Sequence, residues 1–156
     1  MDSIAVANHV LWRANKDKVD ISPMKLQKIL YFLHGNYLAI TGEPLINEGF
    51  RRWDYGPVLP SVYQELRNYG GLPIDDYIKQ YDKERGEFRP LFVNTNALPR
   101  FNDILEQVWG TYSGVSALKL SDLTHEPGSP WARTLPNGLI TDNMISEYFV
   151  RKAFNP

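Results

Sequence analysis

The sequence has 156 residues, 43% of them hydrophobic and 22% charged, and a formal net charge of -1. This length allows a buried core without disulfides, and the absence of cysteine excludes a disulfide framework, a thiolate nucleophile and a zinc site built on sulfur. The small net charge argues against nucleic acid as a partner. We therefore expect one domain spanning residues 1–156, no cofactor and, without a signal peptide or an apolar span, a cytoplasmic location away from membranes.

Two helices are predicted in the first 42 residues. Apolar residues at helical spacing predict a one-faced surface helix from Ser3 to Asn15. Ser22 is a capping residue followed by proline, which predicts a second helix that ends at Gly42. Because apolar residues occupy nearly all sides of this second helix, we expect it to be the central helix of the fold.

The helical period disappears between residues 43 and 60. Alternating side chains from Phe50 to Tyr55 predict a short strand or extended segment, and Gly56-Pro57 predicts a turn after it. A third helix is expected from Pro60 to about Asn68. Its inner side is expected to carry Val62, Tyr63 and Leu66.

The signal is weaker between residues 74 and 94. Residues 74–81 fit a helix or an extended segment equally well, whereas residues 88–94 fit a strand that follows a hairpin-type loop at residues 83–87. We therefore expect a small antiparallel sheet in this stretch.

Helical periodicity returns in the last third of the chain. It covers residues 99–112 and 116–123, and Ser116 can cap the second of these helices. Ser129-Pro130 predicts a short turn at Trp131, and Thr141 is placed to cap a last helix. The predicted fold is therefore mainly α, a single compact helical domain around a central hydrophobic helix, with a small antiparallel β element.

The sequence contains no pattern that indicates catalysis or metal binding. His9, His34 and His125 are widely separated, and none has helical spacing to a second metal ligand. Motifs for nucleotide binding and for hydrolases are absent. We expect a protein that is not an enzyme, with His34 and His125 in structural roles. An enzyme would instead need one of these two histidines with Asp54 or Glu126 in one pocket.

Arginine and aromatic residues are concentrated at positions 51–55. Such a cluster can bind phosphate and stack on bases, but in an extended segment one arginine and one ring fall on each side, so a continuous basic surface is not expected. The same residue types are typical of protein-binding hot spots. The predicted partner-binding residues are Arg51, Arg52, Trp53, Tyr55, Tyr77 and Tyr81.

Three segments together resemble the Panacea domain, a family of SocA-like, phage-associated proteins. They are Lys25–Phe32 with His34–Ala39, Arg52–Tyr63, and Leu123–Trp131. The resemblance covers about residues 5–150. It implies a mainly helical antitoxin that binds and neutralises a protein toxin encoded beside it, in a type II toxin-antitoxin system and without catalysis. It also implies an alternative, in which the protein is an adaptor that delivers its toxin to a AAA+ protease.

The matched motifs also suggest roles for individual residues. Those expected to define the fold are His34, Trp53, Tyr55, Gly56, Pro57, His125, Pro130 and Trp131. Residues 74–92 resemble the family least and carry many polar residues, so we expect this stretch to set partner specificity. Since the family-like region uses almost the whole chain, no second, DNA-binding module is expected.

Overall fold

A computed structural model describes residues 1–154, and within them the chain forms six α-helices and five short strands. The helices are α1 (Ser3–Asp17), α2 (Pro23–Thr41), α3 (Pro60–Leu66), α4 (Phe101–Tyr112), α5 (Ala117–Thr124) and α6 (Asp142–Phe154). The strands are β1 (Phe50–Trp53), β2 (Gly56–Val58), β3 (Lys79–Asp82), β4 (Glu87–Pro90) and β5 (Leu139–Ile140). The predicted mainly α fold with a small antiparallel β element is confirmed. Residues 155 and 156, which the predicted domain includes, lie outside the described part.

α2 is the central helix, as its apolar composition predicts. The Ser22 hydroxyl accepts a hydrogen bond from the Lys25 amide, and Gly42 ends the helix in the left-handed conformation with φ 77°. Nearly every side chain between Leu26 and Leu38 is buried, because α1, α3, α4, α5 and α6 all pack against this helix. Within residues 1–154, neither α2 nor any other helix combines the length and the apolar character needed to cross a membrane.

The expectation that α1 is a one-faced surface helix is wrong. Residues 3–11 are all buried, and the helix is two residues longer than predicted. Asn8 shows why its polar side is covered: its side chain donates to the carbonyls of Ile78, at 2.8 Å, and Leu91, at 3.0 Å, and accepts from the Ile78 amide at 2.8 Å. A segment about 70 residues later therefore covers this face of α1, which local periodicity cannot reveal.

The first sheet has the strand order β2-β1-β5 and is antiparallel. Its β1–β2 hairpin turns at Asp54 and Tyr55, so the turn predicted at Gly56-Pro57 is wrong, and these two residues begin β2. Pro57 fits because β2 is an edge strand. Its partner Arg52 makes its backbone hydrogen bonds on the other side, to residues 137 and 138. Because Arg52 makes no backbone hydrogen bond toward β2, the missing N–H of Pro57 removes no hydrogen bond between the two strands.

The second sheet is the β3–β4 hairpin, which confirms the antiparallel pair expected in the middle stretch. Residues 74–78 are extended or irregular, and the strand expected over residues 88–94 is shorter, at residues 87–90. The Asp82 carboxylate accepts the amides of Glu84 and Arg85, and Gly86 closes the loop with φ 68°. These local hydrogen bonds are typical of turns that acidic residues and glycine favour.

The contact between α2 and α6 depends on a glycine. A Cβ atom placed on Gly35 of α2 would lie 2.4 Å from Cε2 of Phe149, well inside van der Waals contact. The missing side chain lets the Phe149 ring lie directly on the α2 backbone, where it also meets Tyr31, with 5.5 Å between ring centroids. Close packing of this kind does not tolerate an added methyl group unless the ring moves.

We expect Gly35→Ala to lower the free energy of unfolding by about 1 to 2 kcal/mol, since overpacking exceeds the gain in helix propensity. Gly110→Ala is the matched control: this residue is also helical, but a Cβ there meets nothing within 4 Å. It should stabilise the protein by about 0.5 to 1 kcal/mol. Urea unfolding followed by circular dichroism measures both, and equal effects of the two substitutions would contradict the packing argument.

Candidate partner-binding surface

The β1–β2 hairpin, α2 and α3 enclose an apolar groove of about 180 Å³, which we call the hairpin groove. It is lined by Pro23, Met24, Gln27, Lys28, Trp53, Tyr55, Val58, Val62, Tyr63, Leu66 and Gly70. The Trp53 and Tyr63 rings meet edge to face with their centroids 4.9 Å apart. Tyr55 is 63% exposed and Tyr63 42% exposed, so large rings with free surface lie along the opening.

Two neighbouring polar residues of α2 hold the hairpin in place. The buried Gln27 amide donates to the Leu59 carbonyl at 3.1 Å and accepts from the Leu59 amide at 2.9 Å. The Lys28 ammonium donates to the Pro57 carbonyl at 3.1 Å. Because these bonds reach the backbone of residues 57–59, they fix the path of the chain from β2 into α3 independently of the side chains there.

Gly56 allows the hairpin to approach α2 and α5 closely. Its φ is 120°, a conformation that other residues rarely adopt. A Cβ atom there would lie 2.6 Å from both Lys28 Cε and Thr124 Oγ1. The Ser121 hydroxyl donates to the Tyr55 carbonyl from the same side. Gly56 is therefore required by a close approach of three elements, whereas the sequence suggested only a turn.

Lys28 is buried, and few interactions offset the cost of burying its charge. Its side chain is 1% exposed, and burial lowers its pKa to about 7. In the part of the chain that the structure describes, no carboxylate lies within salt-bridge distance of its ammonium. One carbonyl satisfies one of its three N–H donors.

An open depression of about 670 Å³ adjoins the hairpin groove and shares Trp53, Tyr55 and Tyr63 with it. On its other side the Arg52 guanidinium lies 4.0 Å from the centre of the Trp131 ring and donates to the Thr134 carbonyl. The Trp131 indole in turn donates to the Trp53 carbonyl at 2.7 Å. The side chains of Arg52 and Trp131 are thus held by the fold and still border the depression.

The six predicted partner-binding residues fall on two separate sheets. Arg51, Arg52, Trp53 and Tyr55 belong to the β1–β2 hairpin, where alternation along β1 directs the two arginines to opposite faces. Tyr77 and Tyr81 belong to the other sheet region. The Tyr77 hydroxyl accepts a hydrogen bond from the Asn15 amide group at 3.1 Å.

A second exposed aromatic surface lies on the β3–β4 hairpin. Tyr81, 55% exposed, pairs across the strands with Phe88, 68% exposed, and their ring centroids are 5.3 Å apart. We call these two residues the β3–β4 aromatic patch. The structure therefore offers two aromatic surfaces where the sequence suggested a single set of residues.

His34 is fully buried in α2. Its Nδ1 accepts a hydrogen bond from the Ile46 amide at 3.2 Å, so Nε2 carries the proton that is shared with Asp142, 2.8 Å away. Burial lowers its pKa, and the Asp142 carboxylate opposes that shift. The ring joins α2 to the start of α6 and to the loop before β1.

His125 and Glu126 point to different neighbours. The His125 ring packs against Trp131 at an interplanar angle of 38° with centroids 3.9 Å apart, and burial lowers the pKa of His125. Glu126 accepts hydrogen bonds from Lys152 at 2.8 Å and from the Tyr148 hydroxyl at 2.9 Å, contacts that lower the pKa of Glu126. The structure therefore does not pair His125 with Glu126. Among residues 1–154, no three histidine or acidic side chains are grouped so that they could hold a metal ion.

Pro130 lies next to these aromatic residues and is buried. Its carbonyl accepts the Thr134 hydroxyl at 2.7 Å, while the Ser129 hydroxyl before it donates to the Thr124 carbonyl at 2.8 Å. These bonds tie the turn that carries Trp131 to the end of α5.

Sequence reasoning missed several residues of the hairpin groove. Tyr63 was expected on the inner side of α3, and this is wrong: Val62 and Leu66 are buried, whereas Tyr63 borders the groove. A helix of seven residues is too short for periodicity to define its faces. Gln27 and Lys28 did carry a usable signal, because polar residues on a helix that is apolar on all sides must find buried partners.

We expect Lys28→Met to remove a pH dependence of stability. A lysine titrates near 10.4 in an unfolded chain, and Lys28 at about 7 in the folded protein, so the unfolded state binds the extra proton between these values. The stability of the unsubstituted protein should therefore rise with pH across this window, by up to about 1 kcal/mol per pH unit, relative to the variant.

Urea unfolding at pH 7.0, 8.0 and 9.0 measures this difference. Lys83→Met, which removes an exposed lysine from the β3–β4 loop, is the control and should preserve the slope. If the free energy of unfolding changes with pH in the same way in the unsubstituted protein and in Lys28→Met, Lys28 keeps an ordinary pKa.

The chain is similar to known antitoxins. The family model described as "Antitoxin SocA-like, Panacea domain" matches residues 26–132, a range that contains β1, β2, α3 and Trp131. Antitoxin SocA of Caulobacter vibrioides (strain NA1000 / CB15N) is 37% identical over 134 residues, which cover 84% of this chain and 69% of that protein. No solved structure matches the chain.

Proposed function

The chain belongs to the SocA-like antitoxin family with a Panacea domain, and on this premise we propose that it is the antitoxin of a type II toxin-antitoxin system. It acts in the cytoplasm and neutralises a cognate protein toxin, encoded nearby, by binding it directly. The observation that carries the direct-binding proposal is the hairpin groove, an apolar site bordered by exposed aromatic rings on a rigid frame.

The groove has the composition of a protein-binding site. Tyrosine, tryptophan and arginine are the residues most enriched at binding hot spots, and Tyr55, Tyr63 and Arg52 border the groove and its adjoining depression. The hydrogen bonds of Gln27 and Lys28 fix the hairpin in advance, so little conformational entropy is lost when a partner binds.

A stable complex needs more surface than the groove supplies. Specific interfaces bury on the order of 1,600 Å² in total, about 800 Å² on each partner. The adjoining depression extends this surface past Trp131 and Pro136.

We further propose that the protein acts without catalysis. The support is that His34 is fully buried and bonded to Asp142 and Ile46, and that Glu126 is bonded to Tyr148 and Lys152, so both side chains make contacts within the fold. Neutralisation then depends on occupying the toxin surface. Delivery of the toxin to a AAA+ protease is the alternative, and the experiment below separates the two.

The test pairs growth rescue with co-purification. The neighbouring open reading frame is expressed in a bacterial host with this chain or with a variant of it. We expect Tyr55→Ala/Tyr63→Ala to lose growth protection and to weaken the complex by about 30-fold for each ring removed, since each ring removed from a hot spot costs about 2 kcal/mol. Tyr81→Ala/Phe88→Ala is the comparison variant, because it removes two exposed rings from the other candidate surface, within the stretch expected to set specificity. Circular dichroism confirms that both variants are folded.

The outcomes are distinct. Loss of binding only in the Tyr81→Ala/Phe88→Ala variant would move the toxin surface to the β3–β4 aromatic patch. Growth rescue without co-purification, accompanied by a fall in the toxin level that requires the protease, would favour the adaptor. A harmless neighbour would remove the support for a toxin-antitoxin pair at this locus.

The predicted role of residues 74–92 in specificity is tested by exchange. Replacing the stretch with that of a relative should change which toxin is neutralised, because the stretch carries the exposed β3–β4 hairpin. The readout is growth protection against each of the two toxins. Unchanged toxin choice would contradict the prediction.

A further inference from the structure

The depression that adjoins the hairpin groove contains an arginine with unused hydrogen-bond donors. Among the described residues that line the depression, only Arg52 and Asp54 are charged. The Arg52 guanidinium carries five N–H donors, and its Nη1 donates to the Thr134 carbonyl. Its Nε and Nη2 make no hydrogen bond to residues 1–154, and neither nitrogen is closed off from solvent. Arg52 therefore presents two adjacent donors at an open site.

Another arginine of this protein shows what this pair of donors can bind. In Arg13 the same two nitrogens, Nε and Nη2, donate to the two carboxylate oxygens of Glu106 at 2.6 Å and 3.0 Å. The planar fork of an arginine matches a carboxylate in this way, and both hydrogen bonds are charge-assisted. No carboxylate among residues 1–154 lies within salt-bridge distance of Arg52. This part of the chain thus supplies the fork without the carboxylate.

The Arg52 guanidinium is held in position before a partner binds. It lies 4.0 Å from the centre of the Trp131 ring, and the Trp131 indole is itself fixed by its hydrogen bond to the Trp53 carbonyl. The backbone of Arg52 is bonded to Asn137 and Gly138. Because the side chain is already ordered, little conformational entropy is lost when its Nε–Nη2 edge pairs with an anion.

We propose that the depression binds an acidic side chain of the toxin, whose carboxylate pairs with Nε and Nη2 of Arg52. This inference rests on the proposed function, since it names the chemistry of the toxin surface. An apolar residue beside the acidic one would lie against the exposed rings of Tyr55 and Tyr63, which line the same depression.

The charges of the depression favour a carboxylate over a phosphate group. Phosphate carries up to two negative charges and is best held by several donors, whereas the described lining offers one arginine and no lysine. The carboxylate of Asp54 lines the same depression and repels a dianion more strongly than a monoanion. Inorganic phosphate is therefore included as a competing probe.

The test uses two small probes, N-acetyl-phenylalanine and N-acetyl-phenylalaninamide, which share a ring and differ in the carboxylate. NMR titrations at pH 6.5 follow the indole N–H signals of Trp53 and Trp131. We expect the acid to bind at least about fivefold more tightly than the amide, because the pair is bidentate. In Arg52→Gln the two probes should bind equally. Arg52→Lys keeps the charge without the fork and should lose most of the preference.

Arg51→Gln is the matched control for these variants. Arg51 precedes Arg52 in β1, is exposed, and lines neither the hairpin groove nor the depression. Removing its charge should therefore leave the preference for the acid unchanged. Circular dichroism confirms that each variant is folded.

Two further measurements leave Arg52 in place. Asp54→Asn, an exchange in the exposed hairpin turn, should increase the preference for the acid about twofold, because it removes a like charge from the depression. The preference should also persist at pH 8.5. The basic groups near Arg52 are Lys28, whose pKa is lowered to about 7, and His125, whose pKa is also lowered. Both are largely neutral at pH 8.5, whereas arginine stays charged.

Several results would overturn the proposal. They are equal binding of acid and amide to the unsubstituted protein, a preference that survives in Arg52→Gln, and a preference that is lost at pH 8.5. Inorganic phosphate that binds as tightly as the acid, and depends on Arg52, would assign the site to phosphate instead. An unchanged or smaller preference in Asp54→Asn would place the carboxylate outside the depression.

The toxin assay separates this inference from the proposed function. Arg52→Gln should weaken the co-purified complex about tenfold or more, whereas Arg51→Gln should not. Equal effects of the two variants would overturn the pairing with the toxin and leave the direct-binding proposal standing. A harmless neighbour would overturn the proposed function, and the probe titrations would still decide whether Arg52 binds a carboxylate.

Discussion

The arrangement of this protein depends on how α2 holds the backbone between β2 and α3. Gln27 and Lys28 are polar residues on an otherwise apolar central helix, and their side chains bond to the backbone of Leu59 and Pro57. A buried amide or ammonium without such partners would be strongly unfavourable. The path of the hairpin and the burial of these two side chains therefore require each other, and the hairpin groove is the space that this arrangement leaves.

The segment after α5 completes the same region. Its Trp131 lies between His125 and Arg52, and its residues Asn137 and Gly138 bond to the backbone of Arg52. The chain thus returns 80 residues later to border the surface that the hairpin began. A set of aromatic and arginine side chains that would be mobile on a free loop is held here by backbone hydrogen bonds, and rigid anchors of this kind suit recognition of another protein.

The exposed rings are divided between two parts of the molecule with different support. The hairpin groove lies on the central helix and shares its core, whereas the β3–β4 aromatic patch is carried by a two-stranded sheet tied to α1 through Asn8. A two-stranded sheet alone is marginally stable, so its position depends on that buried amide. A family of antitoxins could vary such an outer hairpin without disturbing the core, which is consistent with the proposal that residues 74–92 set specificity.

The sequence by itself determined the helices and the family. Ser22, Pro23 and Gly42 set the bounds of α2 through local capping, and the continuous apolar composition of that helix identified it as central. The motifs around it carried the resemblance that the comparisons confirm. These signals act within a few residues of each other, so they can be read without knowledge of the fold.

Only the tertiary structure decided which polar groups are buried and which rings are exposed. Asn8 reaches residues 78 and 91, Lys28 reaches Pro57, and Gly56 is needed because α2 and α5 approach the hairpin there. Tyr63 is exposed although its neighbours Val62 and Leu66 are buried. Each of these outcomes depends on contacts between segments that are distant in the chain. The periodicity of a single segment carries no information on which other segment will cover it.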